Sequence, residues 1–381
     1  MLTVLHTADW HLGKTFRHTD FSLLSLQEEL LEEMVEVAEA EEVDLVLISG
    51  DVFDTYNPPF RAEKLFYRTL VRLAAGGRRL VIVCAGNHDA PEKFEVPRPL
   101  MANFSGIVLT ARPEEDLKPF SGESPYFRLE VEEGFLRIHF KERNKIVALR
   151  LLPYPSEVRW GMAGEAYEKR LRTFLKAEPL FTADYFFLVS HLWTERGTVS
   201  GSERLLLGGI ERVPLAFFPK STDYVALGHL HRFQEPEKGV VYPGSIFPFD
   251  LREAGQEKGL VLWREKEFSF RPWRRSPKVR ELRFESVPEA LAAAPSLDDS
   301  LVFLRFPPLN PGPEAVARLR EAYRGRLLGL HFEFSVEEEA RFLVGRDFGP
   351  EELFRAFWQE KTNREPENEL VSLFLRFLRE D

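Results

Sequence analysis

Residues 2–11 read LTVLHTADWH, an apolar run that ends in the polar cluster Asp9-Trp10-His11. Four later runs repeat this pattern of an apolar segment followed by polar residues. They are 43–49 before Gly50-Asp51-Val52-Phe53-Asp54, 80–85 before Gly86-Asn87-His88-Asp89, 185–190 before His191, and 224–227 before Gly228-His229-Leu230-His231. Short apolar runs of this length predict buried strands. In open α/β sheets, ligand sites form at the carboxyl ends of strands, so the five clusters are expected to converge in one cleft.

The segments between these runs predict an α/β fold of mixed β-sheets flanked by helices. Helical spacing of apolar residues covers 23–41 and 61–75, and the strand–helix–strand order favours parallel strands. Alternation and turn residues predict antiparallel strands at 126–131, 135–140 and 146–152, followed by a helix over 164–176. The first domain, 1–275, therefore contains all five clusters.

Two further parts are expected after the first domain. A strand–helix–strand–helix–strand pattern (279–284, 288–293, 301–306, 314–323 and 328–334) predicts a small α/β capping domain over 276–336. Residues 337–381 are expected to form a helical C-terminal segment, with apolar residues such as Phe354 and Phe374 at helical spacing. The proline-punctuated basic stretch 271–280 resembles an exposed linker; a strip that contacts phosphates is the alternative for Arg271, Arg274, Arg275, Lys278 and Arg280.

Composition limits the class of protein. The 381 residues are 44% hydrophobic and 29% charged, which is ordinary for a globular protein. No apolar run approaches the roughly 18–20 residues that span a bilayer, and the start lacks an export signal. The single cysteine, Cys84, excludes an intramolecular disulfide and is expected to pack in the core, so a cytoplasmic location is expected. The net charge of −10 predicts no general attraction to nucleic acid.

The residue types in the clusters indicate a metal site. Aspartate, asparagine and histidine offer oxygen and imidazole nitrogen, which suit Mn²⁺, Fe²⁺, Mg²⁺ or Zn²⁺. In Asp9-x-His11 and His229-x-His231, an extended backbone would place both side chains on one side. Gly50, Gly86 and Gly228 are expected to let the backbone turn sharply after each strand. Two ions about 3.5–4 Å apart can clamp a phosphate, so a two-metal phosphoesterase is predicted.

Each motif alone is weak evidence. Asp9 and Asp51 could cap helices, and Asn87 is a good turn former. The conjunction of all five, in order and each after a strand, is what favours the metal site over these structural roles.

The series DxH, GDxxD, GNHD, H and GHxH resembles the calcineurin-like metallophosphoesterases. One branch of this family is especially similar in sequence: the DNA repair nuclease subunits related to the meiotic-recombination nuclease. The segments that carry this similarity are HTADWHLGK, SGDVFDT, AGNHD and YVALGHLHRFQ, with YPGS downstream. The resemblance covers the catalytic domain and extends through the capping domain and tail. It implies two manganese ions (magnesium as an alternative), no organic cofactor, DNA as substrate, a homodimer and an SMC-like ATPase partner.

The resemblance also implies roles for individual residues. Asp9, His11 and His231 would hold one metal, Asn87, His191 and His229 the other, and Asp51 would bridge both. His88 would face the phosphate as a cation or general acid. Asp54 is either catalytic or orients His88 by a hydrogen bond, and the spacing does not choose between these. Lys14, Arg17 and His18 either contact DNA phosphates or form a solvated loop.

The function expected from the resemblance is a metal-dependent DNA nuclease subunit acting in break and hairpin processing. It implies 3′-to-5′ exonuclease activity on double strands and endonuclease activity on single strands or hairpins. A phosphomonoesterase or nucleotide phosphodiesterase with the same metal centre is the alternative enzyme. A non-catalytic scaffold is the alternative from another class, although the ligand set and His88 stand complete. The tail either caps this chain's own core or grips the ATPase partner.

Overall fold

The computed structural model describes residues 1–16, 19, 21–98, 106–201, 203, 212–309, 311–333 and the tail positions 351, 354, 355, 358, 359, 365–368, 370, 371 and 374. Contacts divide the chain into two units. The first comprises Met1–Glu281, Asp298–Phe303 and Arg324–Gly329, and the second comprises Leu282–Leu297, Leu304–Tyr323 and Leu330–Asp381. The three-part division at residues 275 and 336 stays a prediction.

Helices and strands alternate along the described residues. In chain order the strands are β1 (Thr3–Thr7), β2 (Leu45–Ser49), β3 (Leu80–Cys84), β4 (Ile107–Thr110), β5 (Gly122–Glu123), β6 (Phe127–Glu132), β7 (Phe135–Phe140), β8 (Lys145–Leu152), β9 (Tyr185–His191), β10 (Tyr224–Gly228), β11 (Gln234–Glu237), β12 (Val240–Tyr242), β13 (Gly259–Arg264), β14 (Glu267–Pro272), β15 (Val279–Arg283), β16 (Leu301–Phe306) and β17 (Leu327–Phe332). The helices are α1 (Leu23–Ala40), α2 (Phe60–Ala74), α3 (Pro91–Glu95), α4 (Glu157–Trp160), α5 (Gly164–Leu175), α6 (Val287–Ala293) and α7 (Pro313–Ala322).

Two mixed sheets form the first unit. One has the strand order β14-β13-β1-β2-β3-β4, in which β1 to β4 are parallel and β13 runs antiparallel to β1. The other has the order β11-β12-β10-β9-β8-β7-β6-β5, in which β8, β9 and β10 are parallel. Strands β1 to β3 and β9 to β10 are the five predicted runs. The α/β class with mixed sheets predicted from the sequence is confirmed.

The sheets pack against each other because successive strand residues face opposite sides. In β2, Leu45 and Leu47 lie in a core shared with Phe187 of the second sheet, and Cys84 is buried in the same core. The alternate residues of β2, such as Val46, face a second core that includes side chains of α1 and α2. Helix α5 covers the outer face of the second sheet. The result is a helix–sheet–sheet–helix sandwich, and burial of these apolar side chains is its main stabilising term.

The second unit contains the two helices of the predicted strand–helix–strand–helix–strand pattern. Strands β15, β16 and β17 form a three-stranded sheet with β16 in the middle. Helices α6 and α7 are linked where the Tyr323 hydroxyl donates to the carbonyl of Ala290 at 2.7 Å. Most of the predicted helical segment 337–381 lies outside the described residues. Within the described part, the rings of Phe354 and Phe374 stack at 4.3 Å.

The basic stretch 271–280 exposes Pro272, Arg274, Arg275, Lys278 and Arg280, as expected for a linker, but its ends lie in β14 and β15 and its backbone is held by α1. Glu33 of α1 is buried and accepts the backbone N–H groups of Arg274 and Arg275, both at 2.9 Å. Arg275 also pairs with Glu36 at 2.7 Å, and Arg271 pairs with Glu41. The acidic face of α1 therefore holds this stretch. The alternative of a phosphate-contacting strip stays a prediction, and these arginines would have to exchange their carboxylate partners for phosphate.

Candidate metal centre

The polar clusters after β1, β2, β3, β9 and β10 lie together at one edge of the two sheets. The side chains of Asp9, His11, Asp51, His191, His229 and His231 are all buried, at 3% exposure or less. Within each sheet the carboxyl ends point the same way, because β1 to β3 are parallel and β9 is parallel to β10. Contacts between His11 and His231 and between Asp51 and His191 join the clusters of the two sheets. The convergence expected from the sequence is therefore present.

Ligand-type atoms of the described residues form three overlapping groups. In the first, Asp9, His11 and His231 place one ligand atom each within 4.8 Å of one another, and the Nε2 atoms of the two histidines are 3.2 Å apart. In the second, Asp51, His191 and His229 do the same. The third, His11, Asp51 and His88, overlaps both, so the division between two metals that the sequence resemblance implied stays a prediction.

Asn87 extends the second group, and Asp51 links the first and second groups. Asn87 Oδ1 lies 3.0 Å from His191 Nε2 and 3.1 Å from His229 Nδ1, so it belongs with the second group. Asp51 Oδ2 lies 3.3 Å from His191 Nε2 and 3.8 Å from His11 Nε2, which places this carboxylate between the groups. The seven ligand assignments stay predictions, and all seven side chains meet in one site.

Four of these residues have a left-handed backbone. The φ angles are +52° at Asp9, +46° at His11, +49° at Asp51 and +102° at His229. The expectation that Asp9-x-His11 and His229-x-His231 reach the site from extended segments is therefore wrong. Such conformations cost on the order of 1–3 kcal/mol each and occur mainly where surrounding structure imposes them, as at functional sites.

Gly50, Gly86 and Gly228 matter mostly because neighbouring atoms pack closely against them, and less because they allow the backbone to turn. Only Gly50 of the three has a positive φ, +88°. A Cβ atom on Gly86 would lie 2.1 Å from Asp51 Oδ1, and one on Gly228 would lie 1.8 Å from the carbonyl oxygen of Ser49. The turning role expected for Gly86 and Gly228 is corrected accordingly: these positions lack a side chain so that neighbouring strands and loops can touch.

The electrostatics of the site fit a divalent cation. Burial raises the pKa of Asp9 to about 7 and lowers the pKa values of His11 and His229 to about 3. Burial would also lower the pKa of His191, but the Asp51 carboxylate raises it to about 9. The low pKa values of His11 and His229 leave their imidazoles neutral at pH 7, which is the form that binds a metal ion. A donor set of carboxylate oxygen and imidazole nitrogen without thiolate suits Mn²⁺, Fe²⁺, Mg²⁺ or Zn²⁺.

His88 is held at the edge of the ligand groups. Its Nδ1 bonds to the main-chain oxygen of Asp54 at 2.7 Å, and its Nε2 lies 4.0 Å from Asp51 Oδ2. The side chain of Asp54 does something else: its Oδ1 lies 3.0 Å from Lys14 Nζ and 3.4 Å from His11 Nδ1. Of the two roles considered for Asp54, orienting His88 is thus performed by the backbone carbonyl. Ligand-type atoms of His11, Asp51 and His88 also cluster, so geometry alone leaves His88 within reach of a metal.

Only one of the three expected DNA contacts can be placed. Lys14 lies next to the site, with its ammonium 5.4 Å from the centre of the Phe249 ring and its side chain 23% exposed. Arg17 and His18 lie outside the described residues. DNA contact by any of these residues stays a prediction.

Two residues that support the site were missed from the sequence. The buried carboxylate of Asp89 accepts the backbone N–H groups of Val52, Phe53 and Gly86 at 2.8–3.2 Å, which ties the second and third clusters together. Gln27 donates from Nε2 to the carbonyls of Trp10 and His11 at 2.8 and 3.0 Å. Two features of the sequence could have indicated these residues. Asp89 is the last residue of the GNHD motif, and Gln27 is a polar residue on the apolar face of the helix predicted at 23–41.

Comparison with known proteins agrees with this geometry. The family model of the calcineurin-like phosphoesterases matches residues 2–233, and the chain belongs to this family. Its relatives include the SbcD subunit of the nuclease SbcCD of Bacillus subtilis, 29% identical over 401 residues that cover 98% of this chain and 97% of that protein. The proteins of the same name from Rhodobacter capsulatus and Escherichia coli K12 are 31% and 28% identical. Each covers 68% of this chain, and the matches span 66% and 64% of those proteins.

The family resemblance of the sequence motifs is thereby confirmed. In the described part of the chain, no helix combines the length and apolar character that crossing a membrane requires.

Proposed function

We propose that this chain is a metal-dependent DNA nuclease that works as the SbcD-type subunit of an SbcCD-type complex. The observation that carries the proposal is the meeting of two groups of buried ligand atoms, linked by Asp51, in a phosphoesterase fold. Similarity to SbcCD nuclease subunits supports DNA as the substrate. The proposed activities are 3′-to-5′ exonuclease action on double strands and endonuclease action on single strands or hairpins.

In this proposal, Asp9, His11 and His231 would hold one manganese ion. Asn87, His191 and His229 would hold the other, and Asp51 would contribute to both. Divalent ions bound in this way polarise the phosphate and supply a nucleophile at neutral pH.

His88 is proposed to act on the phosphate. Because the Asp54 carbonyl oxygen accepts Nδ1–H, it is the Nε2–H of the imidazolium form that remains to contact the scissile phosphate or to protonate the departing oxygen. The rigid donor–acceptor pair keeps the imidazole in one orientation, so no reorganisation is needed when the phosphate arrives. Lys14, Arg17 and His18 are proposed to contact flanking DNA phosphates.

The test compares substrates at a fixed manganese concentration. Plasmid and hairpin DNA are expected to be cut, whereas p-nitrophenyl phosphate and its diester are expected to be turned over slowly. Asp51→Asn should abolish cleavage. Asp44→Asn is the matched control and should remain active: Asp44 directly precedes β2, at the end of the strand opposite to Asp51, and its Oδ1 lies 2.9 Å from Arg143 Nε. Rapid hydrolysis of the small esters with intact DNA would reject the nuclease in favour of a small-molecule phosphoesterase.

The proposed partners are an SbcC-type SMC-like ATPase and a second copy of this chain. Residues 337–381 are proposed to grip the ATPase, because their apolar residues are spaced for docking helices. Removal of residues 350–381 is expected to leave manganese-dependent cleavage intact and to abolish co-purification with the ATPase. An unchanged pull-down would contradict the role of the tail, and light scattering of the full chain tests the homodimer.

A further inference from the structure

A buried carboxylate lies directly behind one of the proposed ligands. Glu253 ends the short helical turn Leu251–Glu253 and is completely buried. Its Oε1 lies 3.1 Å from His231 Nδ1, on the side of the imidazole opposite to the ligand group. The other ring nitrogen, Nε2, is the atom 3.2 Å from His11 Nε2 and 4.0 Å from Asp9 Oδ1. Glu253 therefore contacts the imidazole from outside the site.

Two further side chains fix Glu253. Lys258, only 5% exposed, donates from Nζ to Glu253 Oε2 at 2.6 Å and to the main-chain carbonyl of His231 at 2.7 Å. The Ser245 Oγ lies 3.1 Å from the same Oε2 and 2.9 Å from the carbonyl oxygen of Phe247, so its single proton is shared between these two acceptors. His231 is thus contacted at both its ring and its backbone by one buried ion pair.

Stability alone does not account for an ion pair in this buried position. Removing two charges from water usually costs more free energy than their attraction returns. A carboxylate that accepts Nδ1–H of a histidine fixes the tautomer, leaves the Nε2 lone pair directed at the site and makes that nitrogen a stronger ligand. The arrangement of Glu253 and His231 meets these requirements.

The second ligand group has a different outer contact. His191 Nδ1 bonds to the main-chain carbonyl of Ser49 at 2.8 Å, a neutral acceptor, in place of a carboxylate. The two proposed metal positions are therefore unequal: a charged acceptor supports His231, and a neutral one supports His191.

We propose that Glu253, held by Lys258 and Ser245, is a positioning residue that orients His231 and strengthens cation binding at the Asp9–His11–His231 position alone. This inference rests on the proposed metal centre. It assigns to Glu253 a specific effect on one of two metal positions, which a general contribution to stability would not produce.

The experiment is a calorimetric titration of Mn²⁺ into the metal-free full chain. The wild type is expected to bind two ions. Glu253→Gln is expected to bind one ion as the wild type does and the other about 10–100-fold more weakly, the usual effect of removing such an outer contact. Glu33→Gln is the matched control, because Glu33 is an equally buried carboxylate that accepts backbone N–H groups far from the site. It should lower the urea midpoint and leave both manganese affinities unchanged.

A second readout needs no metal. In metal-free protein with ¹⁵N-labelled histidine, the His231 ring nitrogens are expected to report the Nδ1–H tautomer at alkaline pH, and Glu253→Gln should change this signal. Ser245→Ala keeps the charge of Glu253 and serves if Glu253→Gln does not fold. It should weaken the same single position less than tenfold, because the Ser245 proton is shared with the Phe247 carbonyl and the charge of Glu253 is kept.

The outcomes distinguish failure of the role proposed for Glu253 from failure of the proposed metal centre. Two unchanged manganese affinities in Glu253→Gln, or in Ser245→Ala if that variant replaces it, would overturn the role of Glu253. Equal weakening of both positions would overturn it too, because the effect would then be structural. If the wild type binds no manganese, the metal centre itself is rejected, and this inference with it.

Discussion

Replacing Gly86 by alanine tests whether the metal centre depends on close contact between strand ends. An ideal Cβ atom at this position lies 2.1 Å from Asp51 Oδ1 and 2.2 Å from the Asp51 backbone nitrogen. Ordinary contact begins at 3.4 Å, so the Asp51 backbone must retreat by roughly 1.2 Å, the difference between 2.2 and 3.4 Å. Overpacking of this kind costs about 1–3 kcal/mol. Since Asp51 is the proposed bridging ligand, manganese affinity should fall at least about tenfold, equivalent to about 1.4 kcal/mol.

The control for Gly86→Ala is Gly122→Ala. Both substitutions reduce the freedom of the unfolded chain, which by itself stabilises by about 0.4–1 kcal/mol. A Cβ atom on Gly122 meets nothing within 4 Å, and neither glycine has a positive φ. Urea unfolding of the metal-free variants therefore isolates the cost of the contact with Asp51. Equal unfolding midpoints for the two variants, together with wild-type manganese binding by Gly86→Ala, would refute the reasoning.

Three further predictions concern histidines and Asp54. His88→Ala should retain two manganese ions by calorimetry but lose at least about 100-fold in the rate of DNA cleavage, the usual contribution of a general acid; loss of an ion would mean that His88 is a ligand. Asp54→Asn keeps the main-chain oxygen that holds His88 and removes the carboxylate that lies 3.0 Å from Lys14 Nζ and 3.4 Å from His11 Nδ1, so manganese affinity should fall while kcat at saturating manganese falls less than about tenfold; a loss of kcat equal to that of His88→Ala would contradict this. Burial lowers the pKa of His6 from 6.5 to about 3. Below pH 6.5 the unfolded chain therefore binds a proton at His6 that the folded chain does not bind, and the free energy of unfolding decreases as the pH falls toward 3. Above pH 6.5 this loss of stability is absent. Urea unfolding of metal-free His6→Asn should therefore show a deficit against the wild type that narrows by about 2 kcal/mol between pH 8 and pH 5, and a constant deficit would be evidence against it.

Much of the architecture could be predicted because apolar periodicity is local. The strand predicted at 135–140 is observed as Phe135–Phe140, and the helix predicted at 23–41 is observed as Leu23–Ala40. The five runs ended where ligand-type residues began, so their meeting followed from the direction of parallel strands. The division of the strands between two stacked sheets was not predictable, because pairing over long sequence distances leaves no periodic signal.

Side-chain partners explain the remaining gaps. Glu253 lies 22 residues after His231, and nothing in the sequence pattern indicates that these two meet. The stretch after β14 resembled a linker because arginine and proline favour exposure, yet the carboxylate of Glu33 captures its backbone. Likewise, Asp54 supplies the bond to His88 from its backbone, which residue identity cannot reveal.

The left-handed backbone at Asp9, His11, Asp51 and His229 limits how this site can be redesigned. Aspartate, asparagine and histidine enter that conformation more readily than other side chains do, apart from glycine. The same short set provides the oxygen and nitrogen donors that the ions need. An engineer who wishes to change metal preference at these positions must therefore choose from a restricted alphabet: a longer or β-branched replacement would carry a conformational penalty in addition to any change in coordination. Asn87, His191 and His231 have ordinary backbone angles, so they offer the wider choice for altering which ion the protein selects.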